Sequence, residues 1–362
     1  MKKLLALVLV LAMSLFAFVG CTQEKPVAET PATETPAAEE PATEEPAEEP
    51  SADNAVKTGL AVLTTVGKSK DAAADAEGLG QSDSIAIAVT VDKDGKVVKA
   101  VIDNAQTKIN FSAEGKVTSD MTVAYKSKQE LKEEYGMKKA SSLQKEWYEQ
   151  ANALAEYFVG KTAEEIKAIP TDEAGVTTDA DLVSSVTIKI NDYKATVEKA
   201  IANAQDLGAT ADDTLGLGIL TTIEKSKDAT ADAEGQTQAY STYSVATFDA
   251  DGKITSSIID ASQATVKFDA TGKITTDLTA EVKTKVELGD AYGMIKASKI
   301  GKEWFEQAAA FSAYVTGKTA DEVAGTAMDA EGVATDADLV SSVTVGIDGF
   351  LDVIAKAAAN AK

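Results

Sequence analysis

Apolar and polar positions along the chain follow one another in the same order twice. Gly59-Leu-Ala-Val-Leu-Thr-Thr reads as a strand. Ile85-Ala-Ile-Ala-Val-Thr-Val alternates as a half-buried strand does, with one large apolar face and one small face. Asp94-Gly95 supplies a hairpin turn before a further strand from Lys96 to Ile102. Glu114-Gly115 predicts another turn, between strands near Ile109 and over Val117 to Tyr125. Asp251-Gly252 and Thr271-Gly272 answer these turns in the second half. Sequential hairpins of this kind predict an antiparallel sheet.

The period then changes from two to between three and four. Leu143, Trp147, Ala151, Leu154 and Phe158 form one helical stripe, with Ser142 as the expected cap and Gly160 as the stop. Trp304, Ala308, Phe311 and Val315 repeat it, ending at Gly317. Thr162 is placed to cap a short second helix. After an Asp-rich loop, Val186 to Ile190 reads as a strand and Tyr193 to Ala204 as a closing helix. Strands first and helices later predict an α+β fold: two tandem homologous domains, each an antiparallel sheet with packed helices.

The repetition is a gapless offset of 157 positions, which carries Gly95 to Gly252, Trp147 to Trp304 and Gly160 to Gly317. It divides the chain into a first repeat over 57–206 and a second over 207–362, each large enough to bury a core. The longest unchanged run is polar: Thr178–Thr187 (TDADLVSSVT) recurs letter for letter at Thr335–Thr344. A core repeats as an apolar pattern that tolerates substitution. An invariant run of Asp, Ser and Thr points to chemistry, whereas Asp71 to Val91 has drifted far more between the copies.

Composition narrows the chemistry. Of 362 residues, 58 are acidic and 35 basic, and the net charge of −23 repels nucleic acid. There is no histidine, which removes the commonest general base and metal ligand. Every basic residue is lysine, so no bidentate guanidinium clamp is available. The single cysteine, Cys21, excludes an intrachain disulfide.

Lys2 and Lys3 precede an apolar run from Leu4 to Val19, the form of a secretory signal over 1–20. The run ends Phe18-Val19-Gly20-Cys21, which resembles a bacterial lipobox. That resemblance implies lipidation of Cys21 and anchoring at the extracellular face of the cytoplasmic membrane. Residues 21–56 form the expected disordered stalk, with Pro26, Pro31, Pro36, Pro41 and Pro46 at every fifth position among Ala, Thr and Glu. An extended segment of this kind reaches on the order of 100 Å at about 3.1 Å per residue.

Within the invariant run, Asp181-Leu-Val-Ser-Ser-Val-Thr187 and Asp338-Leu-Val-Ser-Ser-Val-Thr344 resemble the signature of secreted FMN-binding domains that carry flavin on threonine through a phosphodiester. Val186 and Val343 stand where that family usually has Ala. The resemblance implies FMN, two per chain, on Thr187 and Thr344, with Asp181, Ser184, Ser185, Asp338, Ser341 and Ser342 completing the attachment motif. It also implies an FAD-dependent flavin transferase as partner. The whole arrangement is similar to the two-domain extracellular electron-transfer flavoproteins of Gram-positive bacteria. Their donors are the membrane quinone pool or an NADH dehydrogenase, and their acceptors are extracellular, ferric iron among them.

On this reading the chain is a redox carrier rather than a stand-alone catalyst. The alternative is a lipoprotein that binds a solute or peptide. Three further features each carry two readings. Trp147 and Trp304 stack on flavin or pack in the core. Lys68-Ser-Lys-Asp and Lys225-Ser-Lys-Asp contact phosphate or make tight turns. Asp71, Asp75, Glu77, Asp228, Asp232 and Glu234 bind calcium or line solvated loops.

Overall fold

The computed structural model describes residues 54–362. The expected signal segment, Cys21 and the stalk as far as residue 53 lie outside the described residues. Asn54 and Val56 are tied into the folded unit: Val56 N–H donates to Ala209 O at 3.0 Å, and Ala211 N–H donates to Asn54 O at 2.9 Å.

Each repeat contributes one three-stranded antiparallel sheet and a set of helices. In the first, β1 (Lys57–Thr65), β2 (Gly78–Val91) and β3 (Val97–Phe111) are ordered β1-β2-β3. They are followed by α1 (Lys128–Leu131), α2 (Trp147–Phe158), α3 (Ala163–Lys167) and α4 (Asn191–Ala202). The second repeats the plan with β4 (Thr214–Thr222), β5 (Gly235–Phe248), β6 (Ile254–Phe268), α5 (Lys285–Leu288), α6 (Trp304–Val315), α7 (Ala320–Ala324) and α8 (Asp348–Ala359). Even the register irregularity is duplicated, between Thr90 and Val91 and between Thr247 and Phe248.

The expected hairpin at Asp94-Gly95 is present. Gly95 takes φ +78°, and the Asp92 carboxylate accepts the N–H groups of Asp94 and Lys96, each at 2.9 Å. The strand expected over Val117–Tyr125 does not form. Val117 makes one bridge back to Phe111, and Tyr125 makes one to Thr221 of the other repeat. The turn at Glu114-Gly115 closes, with Ser112 N–H donating to Lys116 O at 2.7 Å and Thr118 N–H to Asn110 O at 2.9 Å, but Val117 N–H goes to Asp228 of the other repeat and the pairing stops there.

Strand β2 also differs from expectation, being buried on both faces. Ile85, Ile87 and Val89 face the helices, packing with Trp147, Leu154, Phe158, Tyr193 and Val197. Ala86 and Ala88 on the other face meet Leu215, Leu217, Ile219, Tyr243 and Val245. The small face looked like a solvent face because its partner is the second sheet. Each sheet is therefore covered by its own helices on one side and by the other repeat on the other. Tyr243, the counterpart of Ala86, is fully buried in this contact, and its hydroxyl pairs with Ser262 Oγ at 2.8 Å. Burying a side chain of this size stabilises by roughly 1.5–3 kcal/mol.

The contact between repeats is isologous. Phe111 stacks on its own counterpart Phe268, with centroids 4.1 Å apart and planes 2° from parallel. Asp71 accepts Ile274 N–H at 2.7 Å, and Asp228 accepts Val117 N–H at 2.9 Å. Lys199 pairs with Glu287, and Lys356 with Glu130. The Lys-Ser-Lys-Asp loops are thus turns that latch one repeat to the other. Close approach of helix to sheet is set by glycine: a Cβ on Gly59 would lie 2.1 Å from Ala200 O, and one on Gly216 would lie 2.0 Å from Ala357 O.

Candidate functional site

The invariant run lies between α3 and α4 and, in the second copy, between α7 and α8. It is not a strand. Asp179 to Val186 forms a turn in which Val183 N–H donates to Asp179 O and Val186 N–H to Leu182 O, both at 3.0 Å. Leu182 and Val186 are buried, as are Leu339 and Val343, so Val186 and Val343 serve as core anchors. Asp181, Ser184, Asp338 and Ser341 face solvent, while Ser185 and Ser342 are half-buried. The alternation of Val186, Ile188 and Ile190 resembled strand periodicity, but Thr187 and Ile188 N–H bond to a side chain, and the segment's backbone pairing is confined to a single bridge between Lys189 and Val176.

That side chain is Gln150, wholly buried on α2. Its Oε1 accepts Thr187 N–H at 2.7 Å, Thr187 Oγ1–H at 3.1 Å and Ile188 N–H at 3.2 Å. Its amide group donates to Ser141 Oγ at 3.1 Å and Lys145 O at 3.3 Å. Gln307 does the same for Thr344 N–H (2.8 Å), Thr344 Oγ1–H (3.3 Å) and Val345 N–H (3.2 Å). Each threonine is half-buried and held through its hydroxyl. The signal was available: a glutamine on the apolar stripe, three residues after the tryptophan, in both copies.

Helix α2 begins at Trp147, later than Ser142 and Leu143 predicted. Glu149 Oε2 accepts Glu146 N–H at 2.7 Å at the helix start. The buried Glu146 carboxylate accepts Met137 N–H at 2.7 Å and Lys138 N–H at 3.1 Å; Glu303 binds Met294 and Ile295 N–H at 2.8 and 2.9 Å. These bonds bring Tyr135 and Met137, or Tyr292 and Met294, beside the tryptophan. The Thr162 cap of α3 forms as expected, in a capping box with Glu165.

Each tryptophan is buried, and each lies beside a buried lysine that the sequence did not mark. Lys285 Nζ donates to Tyr240 Oη at 2.8 Å and lies 4.6 Å from the Tyr240 ring, 4.7 Å from Tyr292 and 4.7 Å from Trp304. In the first repeat Lys128 lies 4.5 Å from Tyr135 and 5.3 Å from Trp147. Loss of hydration pulls Lys285 down to about 8, opposed only by Asp260. Lys128 is pulled down to about 8 for the same reason, with Asp83 the strongest opposing charge.

In the second repeat these groups line a cavity of about 270 Å³ walled by Tyr240, Tyr292, Met294, Trp304 and Phe350, with Lys285 inside. Val345 and Gly346, the two residues after Thr344, form part of its rim. Tyr135 and Met137 border a cavity of about 500 Å³ in the first repeat. Flat aromatic walls, a buried cation and an adjacent threonine hydroxyl suit an esterified aromatic cofactor. Both tryptophans pack in the core, and Trp304 also lines the second-repeat cavity.

The motif's leading acids stand apart from the threonines. Burial and the charges of Asp179 and Asp181 raise Tyr157 to about 12. Tyr314 is raised mainly by burial, with Asp336 and Asp338 adding to it. The acidic end of the motif therefore faces the end of α2 or α6, and the threonine end faces the glutamine. No known family profile, curated protein or solved structure matches this chain.

Proposed function

We propose that the chain is a lipid-anchored extracellular electron carrier, holding one FMN on Thr187 and one on Thr344 through phosphoester bonds. The observation that carries this reading is the repeated glutamine-held threonine together with a buried Lys among Trp and Tyr in each repeat, which in the second repeat line a cavity that Val345 and Gly346 also border. A separate FAD-dependent transferase would form the threonine ester and release AMP. The bound flavin supplies reversible two-electron chemistry. The chain's own residues do the rest: Gln150 and Gln307 orient the hydroxyls, the aromatic side chains shield one region of each repeat from water, and Lys128 and Lys285 place positive charge there.

Covalent attachment suits this chain. It has no arginine to grip a phosphate, its net charge is −23, and a carrier outside the cell loses any cofactor that dissociates. Cys21 would anchor it, the segment after Cys21 would extend it from the membrane, and quinol or an NADH dehydrogenase would supply electrons for acceptors such as ferric iron.

Single substitutions test the assignment. After coexpression with a flavin transferase, Thr187→Ala and Thr344→Ala should each leave one equivalent of flavin absorbance, and the double variant none. Covalent flavin on the double variant would refute the site.

One observation favours the alternative of a solute-binding lipoprotein. An apolar cavity of about 490 Å³ lies between β6 and α6, lined by Leu207, Ile258, Ile259, Phe305 and Ala313. It has no counterpart to the duplicated motif, so it leaves the invariant run unexplained.

A further inference from the structure

The two copies agree at the threonine, the glutamine and the lysine, and diverge at the residue that meets the lysine. In the second repeat this residue is Tyr240, whose hydroxyl accepts from Lys285 and carries no charge. Its counterpart in the first repeat is Asp83, at the same position of the middle strand and only 8% exposed.

Asp83 is built to stay ionised. Burial pushes its carboxyl up, but donation from Gln106 Nε2 at 2.6 Å and Gln81 Nε2 at 2.8 Å, with Lys68 Nζ at 3.1 Å, holds it below the usual carboxylate range. Two exposed lysines, Lys68 and Lys108, partly offset it, but water screens them more strongly than it screens a buried carboxylate. Asp103 and its counterpart Asp260 bear on the two lysines alike, so the repeats differ in one charge: Lys128 has the further buried anion Asp83 where Lys285 has a neutral phenol.

We infer that this Asp83/Tyr240 exchange sets the two flavins apart in reduction potential, with the flavin on Thr344 the easier to reduce. The inference rests on the covalent-flavin reading above. A reduced flavin carries more negative charge than an oxidised one, so an additional neighbouring anion disfavours reduction and a less compensated cation favours it. Electrons shared between the repeats would then settle on the second. Gly346 and Gly349 line that pocket where the first repeat has Lys189 and Asp192, one charge of each sign, so this exchange adds no net charge to either repeat.

The test uses full-length protein coexpressed with a flavin transferase, in Thr187→Ala and Thr344→Ala forms that each retain one flavin. Each is titrated with dithionite against redox dyes and followed by visible absorbance. The Thr344 flavin should show the higher midpoint by at least tenfold in equilibrium constant, about 30 mV for a two-electron couple. Adding Asp83→Asn should raise the midpoint of the Thr187 flavin, and adding Lys285→Met should lower that of the Thr344 flavin. Coincident midpoints, a reversed order, or a Thr187 midpoint indifferent to Asp83→Asn would overturn the inference while leaving the carrier reading intact. Absence of covalent flavin on denaturing gels would overturn both.

Discussion

Gln150→Ala probes the element that holds Thr187, the proposed acceptor. The glutamine is wholly buried, and its Oε1 takes three hydrogen bonds from Thr187 and Ile188. Truncation leaves two backbone N–H groups without that acceptor, while the threonine hydroxyl can turn to water. A buried donor deprived of its partner costs about 1–3 kcal/mol. Thr187 and Ile188 are half-buried, so water recovers part of that cost, and the expected loss is about 2–4 kcal/mol. Urea unfolding gives the stability change, and amide hydrogen exchange at Thr187 and Ile188 shows whether the loss is local. Gln307→Ala should behave alike through Thr344 and Val345. A loss below about 0.5 kcal/mol, within the range of an ordinary surface change, with both amides still protected, would refute the claim that the glutamine holds the loop.

Two other outcomes follow from the packing and the buried charges. Gly216→Ala places a Cβ against the backbone of α8 and should destabilise by about 1–3 kcal/mol, seen as a lower melting temperature. Burial raises Asp103 and Asp260 to about 6, against hydrogen bonds from Ser127 and Gln129 in one case and Thr284 and Val286 in the other. The folded chain then binds more protons than the unfolded chain between about pH 4 and 6. The contribution of this pair is full below the unfolded value and is lost as pH rises through about 6, by roughly 2–3 kcal/mol per group. The double variant Asp103→Asn/Asp260→Asn should flatten that part of the urea midpoint against pH; an unchanged slope would contradict the assignment.

Much of the fold was legible because local chemistry agreed with it. Asp94-Gly95 and its copy set the hairpins, and Thr162 with Glu165 set a helix start. What escaped depended on contacts distant in sequence. The alanine face of β2 has meaning only beside the second sheet, and Asp71 only beside Ile274. The end of the threonine motif looked like a strand because its period is two, yet its amides answer to Gln150, 37 residues earlier. Lys128 and Lys285 sit within Ser-Lys-Gln-Glu and Thr-Lys-Val-Glu capping boxes, where a lysine reads as a solvated helix residue. Only their burial among Tyr and Trp marks them as part of the site.

The central claim is tested most directly by the intact mass of the full chain after coexpression with an FAD-dependent flavin transferase, followed by peptide mapping under denaturing conditions. Two FMN-sized additions, on the peptides containing Thr187 and Thr344, are the predicted result. An unmodified mass, from a transferase that modifies a control protein in the same cells, would contradict the account and leave the solute-binding reading in its place.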